Sequence, residues 1–180
     1  MRKEFVKVPV MSYEIVLKAI YTFDELSTDA KQKAITDARK YLELYGYAWE
    51  DENNKAIESI AKALNCDYKI DTFDNLSFRI YFTSKNDDSI DELEGEEAKA
   101  YIKNIIDNFD AKYCMEMCLK DTFDKYNFHR QTVLDFIDAV AFALSNDITK
   151  DYMYQYSQEG IRKMFIDNEQ EFFEDGSKKC

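Results

Sequence analysis

One histidine, four cysteines and an excess of carboxylates are the side chains from which this chain could build chemistry. Nucleophilic hydrolysis by a Ser-His-Asp or Cys-His arrangement needs an oriented base, and His129 alone supplies an imidazole. Cys114, Cys118 and His129 could meet in space, yet no spacing demands it, and thiols often serve simply as small buried hydrophobes. A zinc set drawn from Cys66, Cys114, Cys118 and His129 is weaker, because Cys-x3-Cys is an atypical ligand pair. No glycine-rich phosphate loop or dinucleotide fingerprint is present, and Gly176-Ser177-Lys178-Lys179 reads as a polar tail. The acids are numerous enough to assemble a magnesium site or an acid–base pair, but none is singled out by spacing. The sequence therefore predicts no catalytic residue, no cofactor and no metal. A small carboxylate- or Cys114/His129-dependent enzyme is the alternative.

The carboxylates do cluster. Asp87, Asp88, Asp91, Glu92, Glu94, Glu96 and Glu97 place seven acids in eleven residues with no base among them. Asp167, Glu169, Glu171, Glu174 and Asp175 place five in nine, interleaved with Phe172 and Phe173. The plain interpretation is a solvated loop and an acidic end to a C-terminal helix. The sharper one is a partner-binding surface that imitates DNA. Carboxylates at i and i+4 of a helix stand about 6 Å apart along the axis, close to the spacing of phosphates, and can take charge-assisted hydrogen bonds from arginine and lysine in a nucleic-acid channel. Tyr152, Tyr154, Tyr156, Phe172 and Phe173 would supply apolar anchors.

The elements that must carry these groups follow from periodicity. Val6, Val8 and Val10, then Tyr13, Ile15, Leu17 and Ala19, alternate as two strands, with Pro9 marking an edge. Thr22 and Glu25 form a capping-box pair, and Ser27 or Thr28 caps a helix whose apolar stripe runs through Ala30, Ala34, Ile35, Ala38, Tyr41, Leu42 and Tyr45. Ile57, Ile60, Ala61 and Leu64 mark a second helix. Tyr68, Ile70 and Thr72 face Phe78, Ile80 and Phe82 as a hairpin turning at Asp74-Asn75. Residues 84–97 read as an acidic linker or loop between an N-terminal part, 1–83, and a mainly helical part, 98–180. Beyond it Ala98 to Phe109 is helical, Tyr113, Met115, Met117 and Leu119 alternate as a strand, and two helices follow, one lined by Val133 to Leu144 and the last by Ile161, Met164, Phe165 and Phe172. This order predicts an α+β fold, a mostly antiparallel sheet packed with four to six helices, as a single domain or two closely packed halves. Thr-Phe-Asp recurs at 22, 72 and 122, but its flanks differ, which argues for repeated turn chemistry over duplication.

At 180 residues the chain is long enough to bury a core without disulfides. Its formal charge of −12 predicts no direct affinity for free nucleic acid and steers it toward basic proteins. The cysteine spacing and the absence of a signal peptide predict a reduced, cytoplasmic protein, and the apolar run from Ala139 to Leu144 is too short to span a membrane.

Two segments carry a resemblance. Tyr21-Thr22-Phe23-Asp24-Glu25-Leu26-Ser27-Thr28-Asp29-Ala30-Lys31-Gln32-Lys33-Ala34 and the tail Glu169-Gln170-Glu171-Phe172-Phe173-Glu174-Asp175-Gly176 are similar to both ends of a family of small acidic bacteriophage proteins, often described as antitoxins of toxin–antitoxin systems. Ala48-Trp49-Glu50-Asp51 extends the similarity, while the middle of the chain diverges. The resemblance implies a phage context. Together with the charge, it leads to the expectation of a non-enzymatic inhibitor in the host cytoplasm, of the anti-CRISPR type. The expected partner is a basic host protein, a CRISPR effector nuclease such as Cas9 or its guide-RNA complex. An antitoxin that neutralises a cognate toxin is the alternative.

Overall fold

Short-range signals place most of the helices where periodicity predicts them, as the computed structural model shows for residues 2–7, 15–46, 50–73, 77–112 and 116–179. The fold is α+β, with one three-stranded and one two-stranded antiparallel sheet among the described residues. Seven α-helices occur among the described residues, one of them a single turn. The chain divides into two units, 1–47 with 153–180, and 48–152.

In the first unit, β1 (Arg2–Lys7) pairs antiparallel with β2 (Ile15–Thr22), which pairs on its other side with β5 (Glu171–Phe173). A 3₁₀ turn, Phe23–Glu25, follows β2, and its capping box is formed: the Thr22 backbone N–H donates to Glu25 Oε2 at 3.0 Å. This bond holds the Glu25 carboxyl below the usual carboxylate range. Ser27 then caps α1 (Thr28–Tyr45), its Oγ accepting from the Ala30 N–H at 3.3 Å. Helix α7 (Gln158–Asp167) starts the same way, with Ser157 Oγ accepting from Gly160 N–H at 3.0 Å. Phe23, Leu26, Ala30, Ala34, Ile35 and Leu42 bury their side chains against Ile161, Phe165 and Phe172. The three rings Phe23, Phe165 and Phe172 lie 4.9–6.1 Å apart by centroid.

In the second unit, α2 (Glu50–Ala63) leads into the hairpin β3 (Cys66–Phe73) and β4 (Ser77–Ser84), followed by α3 (Asp88–Asp91), α4 (Gly95–Asp107), α5 (Met117–Lys125) and α6 (Val133–Tyr156), whose last residues belong to the first unit. Ile57 and Ile60 of α2 and Leu64 just after it are buried, as are Ile80 and Phe82 of β4, Ala98 and Ile102 of α4, and Val133, Phe136, Ile137, Val140 and Leu144 of α6. Thr132 and Asp135 start α6 with reciprocal bonds: Thr132 N–H donates to Asp135 Oδ2 at 2.8 Å, and Asp135 N–H to Thr132 Oγ1 at 3.1 Å. This is a capping box with aspartate in the acidic position.

Three expectations are corrected. The alternation through Met117 and Leu119 is not a strand; these residues open α5, where Cys118 and Leu119 are both buried, adjacent positions that a strand would send to opposite faces. Phe172 does not extend the last helix, which ends at Asp167; it sits in β5 opposite Tyr21. Residues 84–97, expected as an acidic linker or loop, carry α3 and the start of α4 within the second unit. Thr-Phe-Asp occurs in unlike settings: Thr22 ends β2, Thr72 lies within β3, and Thr122 is inside α5. Val8, Pro9, Val10, Tyr13, Ala48, Trp49, the turn at Asp74-Asn75, Tyr113, Cys114, Met115 and Cys180 lie outside the described residues.

Candidate functional site

The acidic segment 87–97 is fixed by its backbone and by one of its own acids. Asp91 Oδ1 accepts from Ser84 Oγ at 2.8 Å and from Asn86 Nδ2 at 3.1 Å, which ties the α3 turn to the end of β4. Asp91 is therefore a structural acid. The Leu93 carbonyl accepts from Val133 N–H at 3.0 Å, and Gly95 N–H donates to the Gln131 carbonyl at 3.1 Å, so the link between α3 and α4 is stitched to the start of α6. Gly95 takes a φ of 59° there, a left-handed conformation suited to glycine.

The other six acids are exposed. Asp87, Asp88, Glu92, Glu94, Glu96 and Glu97 all face solvent, and Lys99 Nζ lies 4.0 Å from Glu96. Asp88 and Glu96–Glu97 stand in the first turns of α3 and α4, where a carboxylate is favoured by the helix dipole. That local benefit does not consume the carboxylates, because they remain free to accept hydrogen bonds from a partner.

The C-terminal segment is arranged differently. Asp167 pairs with Lys163 at 2.7 Å, Glu171 with Lys179 at 2.9 Å and Asp175 with Lys33 at 2.7 Å. Asp175 also accepts from Ser177, at 3.0 Å from its N–H and 2.6 Å from its Oγ. The Lys33 ammonium and the Ser177 bonds hold the Asp175 carboxyl well below the usual carboxylate range. Glu169 and Glu174 are exposed. Phe172, expected as a contact residue, is 1% exposed and belongs to the core; Phe173 is half-buried with Lys18 Nζ 4.7 Å from its ring centroid. Of the tyrosines proposed as anchors, Tyr152 is buried, Tyr156 donates to Glu43 Oε1 at 2.6 Å, and Tyr154 is 43% exposed.

Of the candidate thiols, Cys66 and Cys118 lie among the described residues, and both are buried. Burial pushes the Cys66 and Cys118 thiols up to about 11, so both are protonated at neutral pH. His129 is exposed in a turn, its N–H donating to Asn127 Oδ1 at 3.0 Å, and lines an open depression with Glu96, Lys99 and Tyr126. Among the described residues no group of three or more His, Cys, Asp or Glu side chains is arranged to hold a metal ion, and no helix is long and apolar enough to cross a membrane.

Segments 21–34 and 169–176 meet in the first unit. Tyr21 pairs with Phe172 across β2 and β5, Phe23 packs on Phe172, and Lys33 bridges to Asp175. Gly176, at φ 79°, lies so near α1 that a Cβ would come within 2.1 Å of the Ala30 carbonyl oxygen. Asp24 adds a forked pair with Arg162, at 3.1–3.2 Å. Residues 21–34 and 169–176 thus pair and pack with one another within this unit. Sequence reasoning missed that partnership, as it missed Asp91; the Thr132-x-x-Asp135 cap was available from spacing alone. A comparison with protein-family models, curated proteins and solved structures finds no match for the chain.

Proposed function

We propose that this protein is a non-enzymatic, phage-encoded inhibitor whose acidic segment 87–97 occupies a cationic, nucleic-acid-binding surface of a host effector nuclease, of the kind an anti-CRISPR protein blocks on Cas9. The observation that carries this reading is the exposure of six carboxylates, Asp87, Asp88, Glu92, Glu94, Glu96 and Glu97, on a segment whose backbone is pinned at both ends. A pinned backbone loses little conformational freedom on binding, which favours affinity, and exposed carboxylates keep their capacity for arginine and lysine. Among the described residues Glu96 alone of the six has an ion pair, to Lys99 at 4.0 Å. The resemblance supports the phage setting and the host-cell cytoplasm as its place of action. The same resemblance favours a second reading, an antitoxin that covers a basic face of a cognate toxin.

The test is capture of host proteins on the tagged chain, followed by DNA-binding and cleavage assays of a purified guide-loaded Cas9-type effector with and without it. The inhibitor reading expects loss of DNA binding or cleavage, an affinity that falls steeply with added salt, and loss of inhibition when the six acids are neutralised. Unchanged DNA binding and cleavage at saturating protein would overturn it, and rescue of cells from a captured toxin would establish the antitoxin instead.

A further inference from the structure

The hairpin of the second unit has one closed edge and one open edge. On β4, Phe78 N–H donates to Thr149 Oγ1 at 3.1 Å and Ile80 N–H to Ser145 Oγ at 2.8 Å. These hydroxyls stand one turn apart on α6, and Ser145 passes its own proton to the Ala141 carbonyl at 2.7 Å, which leaves an oxygen lone pair for Ile80. In an antiparallel ladder, a residue whose N–H points away from its neighbour occupies a non-hydrogen-bonded pair, and so does the residue opposite. Phe78 is opposite Thr72 and Ile80 opposite Ile70. The N–H and C=O groups of Ile70 and Thr72 therefore point outward from β3, as do those of Tyr68 by the two-residue period. Among the described residues nothing hydrogen-bonds to them. The strand itself is accessible, with Tyr68 40% exposed and the Lys69 side chain 73% exposed.

An open edge is a template for another strand, and the side chains of β3 select which. Lys69 and Asp71 flank Ile70 and carry opposite charges. We propose that β3 pairs antiparallel with β3 of a second copy about a two-fold axis at Ile70, joining the two hairpins into one continuous sheet. In that register Ile70 lies opposite Ile70 of the second copy and Tyr68 opposite Thr72 of the second copy, as pairs that exchange main-chain hydrogen bonds. Lys69 lies opposite Asp71 of the second copy, and the reverse, in the closer non-hydrogen-bonded positions where Cα atoms are about 4.5 Å apart. Sliding by two residues in one direction would place Lys69 opposite its own counterpart, and in the other direction Asp71 opposite its own. Charge thus singles out one register, and the two-fold makes each contact occur twice. The Lys69–Asp71 pair within one strand, 2.7 Å apart, becomes part of a four-membered charge network in the dimer. An interface of this extent is small, so its dissociation constant is about micromolar or weaker.

Sedimentation velocity over a concentration series, at an ionic strength that screens the repulsion between two acidic bodies, tests the proposal on the full chain. Wild type is expected to pass from monomer to dimer. Lys69→Asp and Asp71→Lys each put like charges in both cross-strand positions and are expected to weaken self-association about tenfold or more. An equimolar mixture of these two variants is the decisive arm: the aspartate introduced at 69 faces the lysine introduced at 71, and native Asp71 faces native Lys69, so a heterodimer forms at the wild-type affinity. Ile70→Pro, which removes an N–H at the axis without touching the β3-β4 ladder, is expected to abolish the dimer while circular dichroism stays that of wild type. If that variant misfolds, the mixture still decides. A wild type that remains monomeric throughout, or a dimer indifferent to the charge reversals, overturns the proposal.

Discussion

The acidic segments 87–97 and 167–175 look alike in composition and differ in what their carboxylates do. In the C-terminal segment Asp167, Glu171 and Asp175 each meet a lysine, and Phe172 is buried between Phe23 and Phe165. In segment 87–97 Asp91 is committed to the fold, and the other six carboxylates point to solvent, with Lys99 4.0 Å from Glu96. Acid density therefore does not distinguish a partner surface from a structural one; the cations that surround it do. The tail thus contributes ion pairs and a buried ring to the first unit, while the exposed carboxylates of the α3–α4 segment are those on which the proposed function rests.

The two segments differ most at Phe172. Phe172→Ala removes a fully buried ring and is expected to cost about 3–5 kcal/mol, measured by denaturant unfolding, whereas replacing Asp87, Asp88, Glu92, Glu94, Glu96 and Glu97 by their amides should change stability by no more than about 0.5 kcal/mol. A Phe172→Ala protein of near wild-type stability would remove the tail from the core.

The next largest effect is on binding. The six-fold amide variant is expected to bind the captured effector at least about tenfold more weakly at low salt, largely through slower association. The matched change of Glu169 and Glu174 should alter binding little. Equal losses from the two variants, read by surface plasmon resonance, would erase the functional distinction between the segments.

Asp91 sharpens the contrast inside its own run. Asp91→Asn weakens the bonds from Ser84 and Asn86 and should destabilise the fold by about 1 kcal/mol, visible as a lower unfolding midpoint that none of its six neighbours produces.

The smallest effect is a pH dependence in the tail. Because the folded state depresses the Asp175 carboxyl, its contribution to stability is present above the unfolded value of about 4 and is lost as pH falls below it. The side chain is 64% exposed, so the contribution is below about 1 kcal/mol. Lys33→Met should flatten the acid limb of a stability–pH profile slightly, and an unchanged limb would show that the pair is screened out.

Sequence by itself determined the elements whose signals are local. The apolar stripe and serine cap of α1, the stripe of α2, the alternation of β3 and β4 and the stripe of α4 each repeat over enough residues to fix their own period, and the structure follows them except at the end of α1, where Tyr41 and Tyr45 are 61% and 72% exposed. It also determined the net charge and the two acidic runs. Tertiary structure alone decided the rest. Strand β5 has three residues, too few for a period, and exists because Tyr21 and Thr22, far away in the chain, offer a ladder. Met117 to Leu119 became helical because Cys118 and Leu119 both had a core to enter. Which carboxylates are free was decided the same way: Lys33 reaches Asp175, and Ser84 with Asn86 reaches Asp91, only after the chain has folded, and a carboxylate's availability to a partner depends on the groups that folding brings within a few ångströms of it.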